Sequence, residues 1–142
     1  MGELTAPPVV VVGAGAAGLM AAVFAARGRR PVLLLERTRD GGRKILISGG
    51  GRCNILPSRV DERRFVTDSS PNTLRNILRS WPLAEQIRFF ETEHSLQLVE
   101  ETESGKLFPS SNRARDVRDA LVRRAEAAGA SLRFGGAVRD LL

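Results

Sequence analysis

The sequence predicts an α/β fold built on a parallel sheet, and two observations carry that prediction. Val9-Val10-Val11-Val12 is a β-branched run that ends in a glycine-rich turn and passes straight into residues 19–27, a stretch of good helix formers. A second apolar run, residues 31–36, follows at once and closes a strand–turn–helix–strand unit within 28 residues. Strands that are apolar on both faces belong to parallel sheets covered on both sides. The chain has 142 residues, 42% hydrophobic and 27% charged, which is a globular composition and about enough for one domain.

The elements follow in order. Pro7 and Pro8 keep residues 1–8 out of a helix, as a loose lead-in. Gly28 stops the first helix. Residues 37–58 show no period and hold five glycines, so they read as a loop. Two short helices, 72–81 and 83–93, are split at Pro82. Residues 95–100 and 106–108, joined across Glu103-Ser104-Gly105, read as a β-hairpin inserted in the main fold. Ser111 or Asn112 caps a helix over 113–128 whose stripe is Val117, Leu121 and Ala125. Residues 131–134 form a short strand, Gly135-Gly136 breaks it, and 137–142 resumes extended.

Three segments carry chemistry. Gly13-x-Gly15-x-x-Gly18 sits between a strand and a helix, the context that turns a common pattern into a dinucleotide-binding signature. Gly13 makes the tight turn, Gly15 lets backbone approach a pyrophosphate, and Gly18 lets helix and strand pack closely. Glu36, 18 residues past Gly18, is placed to bind ribose hydroxyls, and its charge disfavours a 2′-phosphate, so FAD or NAD is expected before NADP. Asp40-Gly41-Gly42-Arg43-Lys44 is a second element, in which Arg43 offers a charge-assisted contact to phosphate. Simple NAD dehydrogenases do not need it, so it favours FAD. The third segment is Ser48-Gly49-Gly50-Gly51-Arg52-Cys53-Asn54. Three glycines in a row are costly to order and point to a geometric purpose, such as a nest of backbone N–H groups. Arg52 and Asn54 can reach a cofactor or substrate, and Cys53 reads either as a redox partner of a flavin or as a small packing residue.

Other residue types exclude more than they suggest. His94 is the sole histidine, so no metal site is expected and a surface or helix-capping role is. No nucleophile–base pair is evident, and the acidic residues Glu91, Glu93, Glu100, Glu101 and Glu103 read as a solvated face. Trp81 is expected in the core. One cysteine fits a reducing cytoplasm, no secretory leader is expected, and no apolar run reaches membrane-spanning length. The net charge of +6 is uneven: residues 27–64 hold 11 basic against 4 acidic residues, whereas 72–142 is almost balanced at 11 against 10. The excess therefore belongs beside the predicted pyrophosphate. Basic residues interleaved with aromatics, the usual mark of single-stranded RNA binding, are absent.

With these motifs in place the chain resembles the N-terminal part of the BaiN/YhiN-type flavoproteins. Its most specific element is the string from Gly42 through Gly49-Gly50-Gly51-Arg52-Cys53-Asn54, and a second is Gly105-Lys106-Leu107-Phe108-Pro109-Ser110-Ser111 leading into the helix. The resemblance implies a Rossmann-like FAD-binding domain of an oxidoreductase, with NAD(P)H as electron donor. It implies that Gly13, Gly15, Gly18, Glu36, Arg43, Lys44, Ser48, Gly49, Gly50, Gly51, Arg52, Cys53 and Asn54 surround FAD, and that Val138 offers backbone to the adenine. Ala16 and Ala17 inside the turn, Arg37 after the carboxylate and Gly42 before Arg43 complete the candidate set. The family is several hundred residues long, so residues 1–142 are expected to form an N-terminal portion, without the substrate-side domain or the C-terminal return, and to be inactive alone. The resemblance departs after Asn54, where Ile55-Leu56-Pro57 stands in place of polar residues. Three other functions stay open: a nucleotide-binding module without turnover, part of a flavoenzyme that reduces uridine in ribosomal RNA, and an NAD-linked dehydrogenase domain. The small-molecule substrate is not specified by any motif.

Overall fold

A computed structural model describes residues 6–140. Its main sheet holds three parallel strands in the order β1-β2-β6: β1 (Val9–Val12), β2 (Val32–Glu36) and β6 (Ala130–Phe134). The register sets Val10 opposite Leu33 and Leu33 opposite Ser131. Helices α1 (Ala16–Ala25) and α5 (Ala114–Ala127) pack against each other and supply much of the core. Leu19, Ala22 and Val23 of α1 meet Val117, Leu121 and Ala125 of α5, with Val32, Leu34 and Ala130 contributed by the sheet. The alternate residues Val10 and Val12 are 51% and 61% exposed, so among the described residues β1 is not covered on both faces, contrary to what its composition leads one to expect.

The segment read as a plain loop contains three elements. These are α2 (Arg43–Ile47), a 3-10 turn over Ser48–Gly51 and the two-residue strand β3 (Leu56–Pro57). The expected hairpin is present as β4 (Leu98–Glu101) and β5 (Lys106–Pro109), and β3 joins it to make a three-stranded antiparallel sheet in the order β3-β5-β4. Residues 95–97 stay out of that sheet, and Ser95 is left-handed with φ 53°. Helices α3 (Pro71–Ser80) and α4 (Leu83–Glu93) lie where expected, α3 being capped by the Ser70 hydroxyl, which accepts from the Thr73 N–H at 3.2 Å.

Three expectations need correction. Neither Ser111 nor Asn112 caps α5: Arg113 holds that position with no side-chain cap bond to the helix backbone among the described residues, and Asp116 in the first turn, paired with Arg113 at 3.1 Å, offsets the helix dipole instead. Residues 137–140 form no strand, and 141 and 142 lie outside the described residues, as do 1–5 of the lead-in. The acidic face is only partly solvated, because Glu93 ties Arg27 (2.6 Å) to Arg124 (2.7 Å) and Glu101 pairs with Arg52 at 2.7 Å.

His94 does take the C-terminal cap of α4, but its ring is buried at 4% exposure, not on the surface. It sits 4.7 Å from the Phe89 ring and 5.3 Å from the Phe90 ring, in a cluster that includes Phe24 and the partly buried Trp81. Among the described residues its Nε2 has no hydrogen-bond partner. Burial holds the imidazole below its usual pKa, against a smaller opposing effect from the Phe89 carbonyl. The unfolded chain therefore takes up the proton first, at about pH 6.5. Stability is expected to be constant above that pH and to fall as pH drops toward the lower folded value. Because His94 is the only histidine, urea midpoints between about pH 8 and pH 5 isolate it. His94→Gln should flatten that slope, and an unchanged slope would refute the assignment.

Candidate nucleotide-binding cleft

Chain direction sets the site. The turn after β1 opens at the carboxyl ends of the parallel strands, where open α/β sheets bind ligands. Gly13 takes φ 97°, and its N–H donates to the Leu35 carbonyl at 2.8 Å, which ties the turn to β2. A Cβ added at position 18 would lie 1.8 Å from the Gly13 carbonyl oxygen, so only glycine lets α1 come this close. A Cβ at position 15 would meet nothing within 4 Å among the described residues, so backbone here faces open space. Helix α1 begins at Ala16, inside the motif and earlier than residue 19, with its first N–H groups at that opening.

Glu36 ends β2 and is clamped by three donors. The Ala14 N–H donates to Oε2 at 2.7 Å, while the Thr38 N–H and hydroxyl donate to Oε1 at 2.7 and 2.8 Å. Partial burial works against ionisation, but these bonds and the Arg37 charge outweigh it and hold the carboxyl below its ordinary value. A carboxylate offers about four acceptor sites, so capacity remains for a hydroxyl of a ligand. The Thr38 Oγ1 also accepts from the Gly41 N–H at 3.2 Å, linking this carboxylate to the next loop.

That loop is positioned by α5. The Arg118 side chain is 7% exposed, donates to the carbonyls of Asp40 (3.0 Å) and Gly41 (3.5 Å), and forms ion pairs with Asp40 (3.2 Å) and Asp119. Its stem fills the space a side chain at Gly42 would need, 2.4 Å from the ideal Cβ. The Gly42 N–H then donates to the Ala14 carbonyl at 2.8 Å, which joins the second glycine pair to the first turn. Arg118→Ala should cost about 1–3 kcal/mol, the usual penalty for stranding buried polar groups. Arg118→Lys should recover little, because an ammonium cannot span the same fork of acceptors. Thermal melts of both variants check this, and a wild-type melting point in Arg118→Ala would refute the anchoring role.

The result is an open cleft of about 680 Å³. Gly13, Gly15, Ala16, Ala17, Gly18, Glu36, Arg37, Gly42, Arg43, Lys44, Ser48, Cys53 and Asn54 all line it, joined by Val12, Thr38 and Ile45. Gly49, Gly50, Gly51, Arg52 and Val138 do not. The Arg52 guanidinium pairs with Glu101 and stacks 4.2 Å above the Phe108 ring. Among the described residues Arg37, Arg43 and Lys44 form no ion pair, so the cleft carries three uncommitted cations. Cys53 is 7% exposed at φ 65°, and burial pushes its thiol pKa up, against a bond to Ser48. A raised pKa keeps the thiol protonated, which suits packing rather than nucleophilic chemistry. Among the described residues no cluster of ligating side chains could hold a metal ion, and no helix is long and apolar enough to cross a membrane.

Parallel strands, the glycine turn and the clamped carboxylate together define a Rossmann domain with a small antiparallel sheet attached. Residues 7–142 match the HI0933-like protein Rossmann domain, and the chain belongs to that family, the one its motifs resemble. It is 34% identical over 113 residues to the 3-dehydro-bile acid delta(4,6)-reductase of Clostridium scindens, covering 78% of this chain and 27% of that protein. It is 30% identical over 128 residues to the ribosomal RNA dihydrouridine synthase of Escherichia coli, covering 88% of this chain and 30% of that protein. The chain thus spans less than a third of the length of either relative. The crystal structure of Thermovibrio ammonificans THI4 shares the fold, with a TM-score of 0.56 and 19% identity over 90% of this chain and 38% of that one.

Proposed function

We propose that this chain binds FAD and forms the cofactor-holding segment of a flavin-dependent oxidoreductase. The observation that carries the reading is one cleft gathering the Gly13–Gly18 turn, the Glu36 carboxylate and the basic α2 segment. Its residues suit the parts of that cofactor. Glu36 accepts from the ribose hydroxyls and repels a 2′-phosphate. The open backbone at Gly15 and the N-terminus of α1 receive the pyrophosphate. Arg37, Arg43 and Lys44 offset its charge. The remaining lining, Ser48, Cys53 and Asn54, is left to the flavin end, where a protonated Cys53 serves as wall. Val138, which lies outside the cleft lining, is proposed to meet the adenine only where that ring extends past the cleft. When bound, FAD supplies hydride or electron transfer, and the protein supplies orientation and electrostatics.

On this proposal NAD(P)H is the donor, and an unsaturated small molecule is reduced in the cytoplasm. The names of the two curated relatives, a reductase and a dihydrouridine synthase, support that direction. Reduction of uridine in ribosomal RNA is a second reading, favoured by the match to the Escherichia coli protein over 88% of this chain. The segment alone is proposed to bind without turnover, since the face of the sheet bearing Val10 and Val12 is exposed. Purified protein is expected to take up FAD, and NADH or NADPH added without oxygen to the whole enzyme is expected to bleach the flavin absorbance. Protein that never takes up FAD would overturn the cofactor, and loaded enzyme that neither nicotinamide reduces would overturn the donor.

A further inference from the structure

A second hollow, of about 240 Å³, lies between the small sheet and residues 59–65. It shares Asn54 with the larger cleft, so the two adjoin. The backbone fixes its walls. Strand β3 pairs with β5, placing Pro57 opposite Lys106, and the Ser58 N–H donates to the Gly105 carbonyl at 2.9 Å. The Asp61 side chain accepts from the Arg63 N–H at 3.1 Å, which starts the 3-10 turn that carries Arg64.

The charges lining this hollow are unbalanced. Arg59, Arg64 and Lys106 form no ion pair among the described residues. Among the described residues the one carboxylate of the lining, Asp61, is already held by the Arg63 guanidinium at 2.9 and 3.0 Å. Three like charges around one concavity repel one another, and an anion relieves that repulsion. Ion recognition alone does not need the apolar part of the wall, half-buried Leu56 and the Phe65 ring, which is 45% exposed. Concave sites that combine apolar wall with a few convergent polar groups bind organic ligands.

We infer that this hollow is a binding site for an amphipathic organic anion, its acid group held by Arg59, Arg64 and Lys106 and its apolar body by Leu56 and Phe65. The anion site itself is independent of the cofactor reading. Its role as the substrate subsite beside the reacting end of the cofactor rests on that reading, through the shared Asn54.

Calorimetric titration with 2-naphthoate tests the site, with 2-naphthalenemethanol and inorganic phosphate as controls, while FAD uptake is measured separately on the same preparations. Naphthoate is expected to bind more tightly than either control. Its affinity should fall tenfold or more in R59Q/R64Q/K106Q and recover in part when Lys stands at 59 and 64, with FAD uptake unchanged throughout. No naphthoate binding, equal binding of the neutral alcohol or of phosphate, or an unaffected triple variant would each overturn the inference. Loss of FAD uptake in wild-type protein that still binds naphthoate would instead overturn the cofactor reading and leave the anion site standing.

Discussion

Gly18→Ala is expected to lose both its stability and any nucleotide binding. The added Cβ would sit 1.8 Å from the Gly13 carbonyl oxygen, a backbone atom that cannot swing aside. Helix α1 must then lift from the turn, and α1 carries Leu19, Ala22 and Val23, all fully buried. Overpacking a core costs roughly 1–3 kcal/mol where side chains can adjust, and a fixed backbone contact belongs at or above the top of that range. Against a total stability of about 5–15 kcal/mol, that is a large fraction. Gly15→Ala provides the contrast, because its Cβ meets nothing within 4 Å among the described residues. That variant should melt within about 0.5 kcal/mol of wild type, as substitutions free of strain do, yet fail to bind the cofactor whose pyrophosphate would occupy the space. Melting curves paired with FAD titrations separate the two glycines. A stable Gly18→Ala, or a Gly15→Ala that binds FAD normally, would break the corresponding step.

Glu36→Gln is the second large effect, and it falls mainly on binding. The glutamine oxygen can still accept from one of the Ala14 and Thr38 groups, so the fold should survive. What is lost is the charge, and a hydrogen bond to a charged group contributes about 1.5–3 kcal/mol. FAD affinity should therefore drop roughly tenfold to a hundredfold, since each 1.4 kcal/mol is tenfold. The same carboxylate gives the fold a pH dependence distinct from that of His94. Its pKa is depressed on folding, so its stabilisation is present above the unfolded value of about 4.3 and is lost as pH falls through the lower folded value. Acid unfolding of Glu36→Gln should lack this component, and an identical acid limb would contradict it.

Much of this site is legible in the sequence because its parts depend on backbone. Val9–Val12 and the glycine turn announce a strand and a sharp bend, and Glu36 falls at the end of the next apolar run. Helix α2 is hidden because Gly41, Gly42 and Gly49 to Gly51 swamp its five residues, and it is held by a distant side chain, Arg118. A signal for Arg118 does exist: positions 114, 117, 118, 121 and 125 follow the helical stripe, so the arginine falls on the buried face of α5. Its meaning depends on a contact 77 residues away, with Gly41, which periodicity cannot supply. Thr38 is equally silent, since its role arises only once β2 delivers Glu36 within reach. The Gly49-Gly50-Gly51-Arg52 string is the opposite case. Its composition points to a ligand, but the structure folds Arg52 onto Phe108 and Glu101 instead of into the cleft.

On the proposed function, this cleft holds FAD through the Gly15 backbone and the Glu36 carboxylate. The most direct test is equilibrium titration of the purified protein with FAD, followed by flavin fluorescence, with NAD and NADP as competitors. Saturable binding of one FAD per chain is expected, abolished in Gly15→Ala, weakened in Glu36→Gln and undisturbed by NADP. Folded wild-type protein that does not bind FAD, or that binds it equally well in both variants, would contradict it.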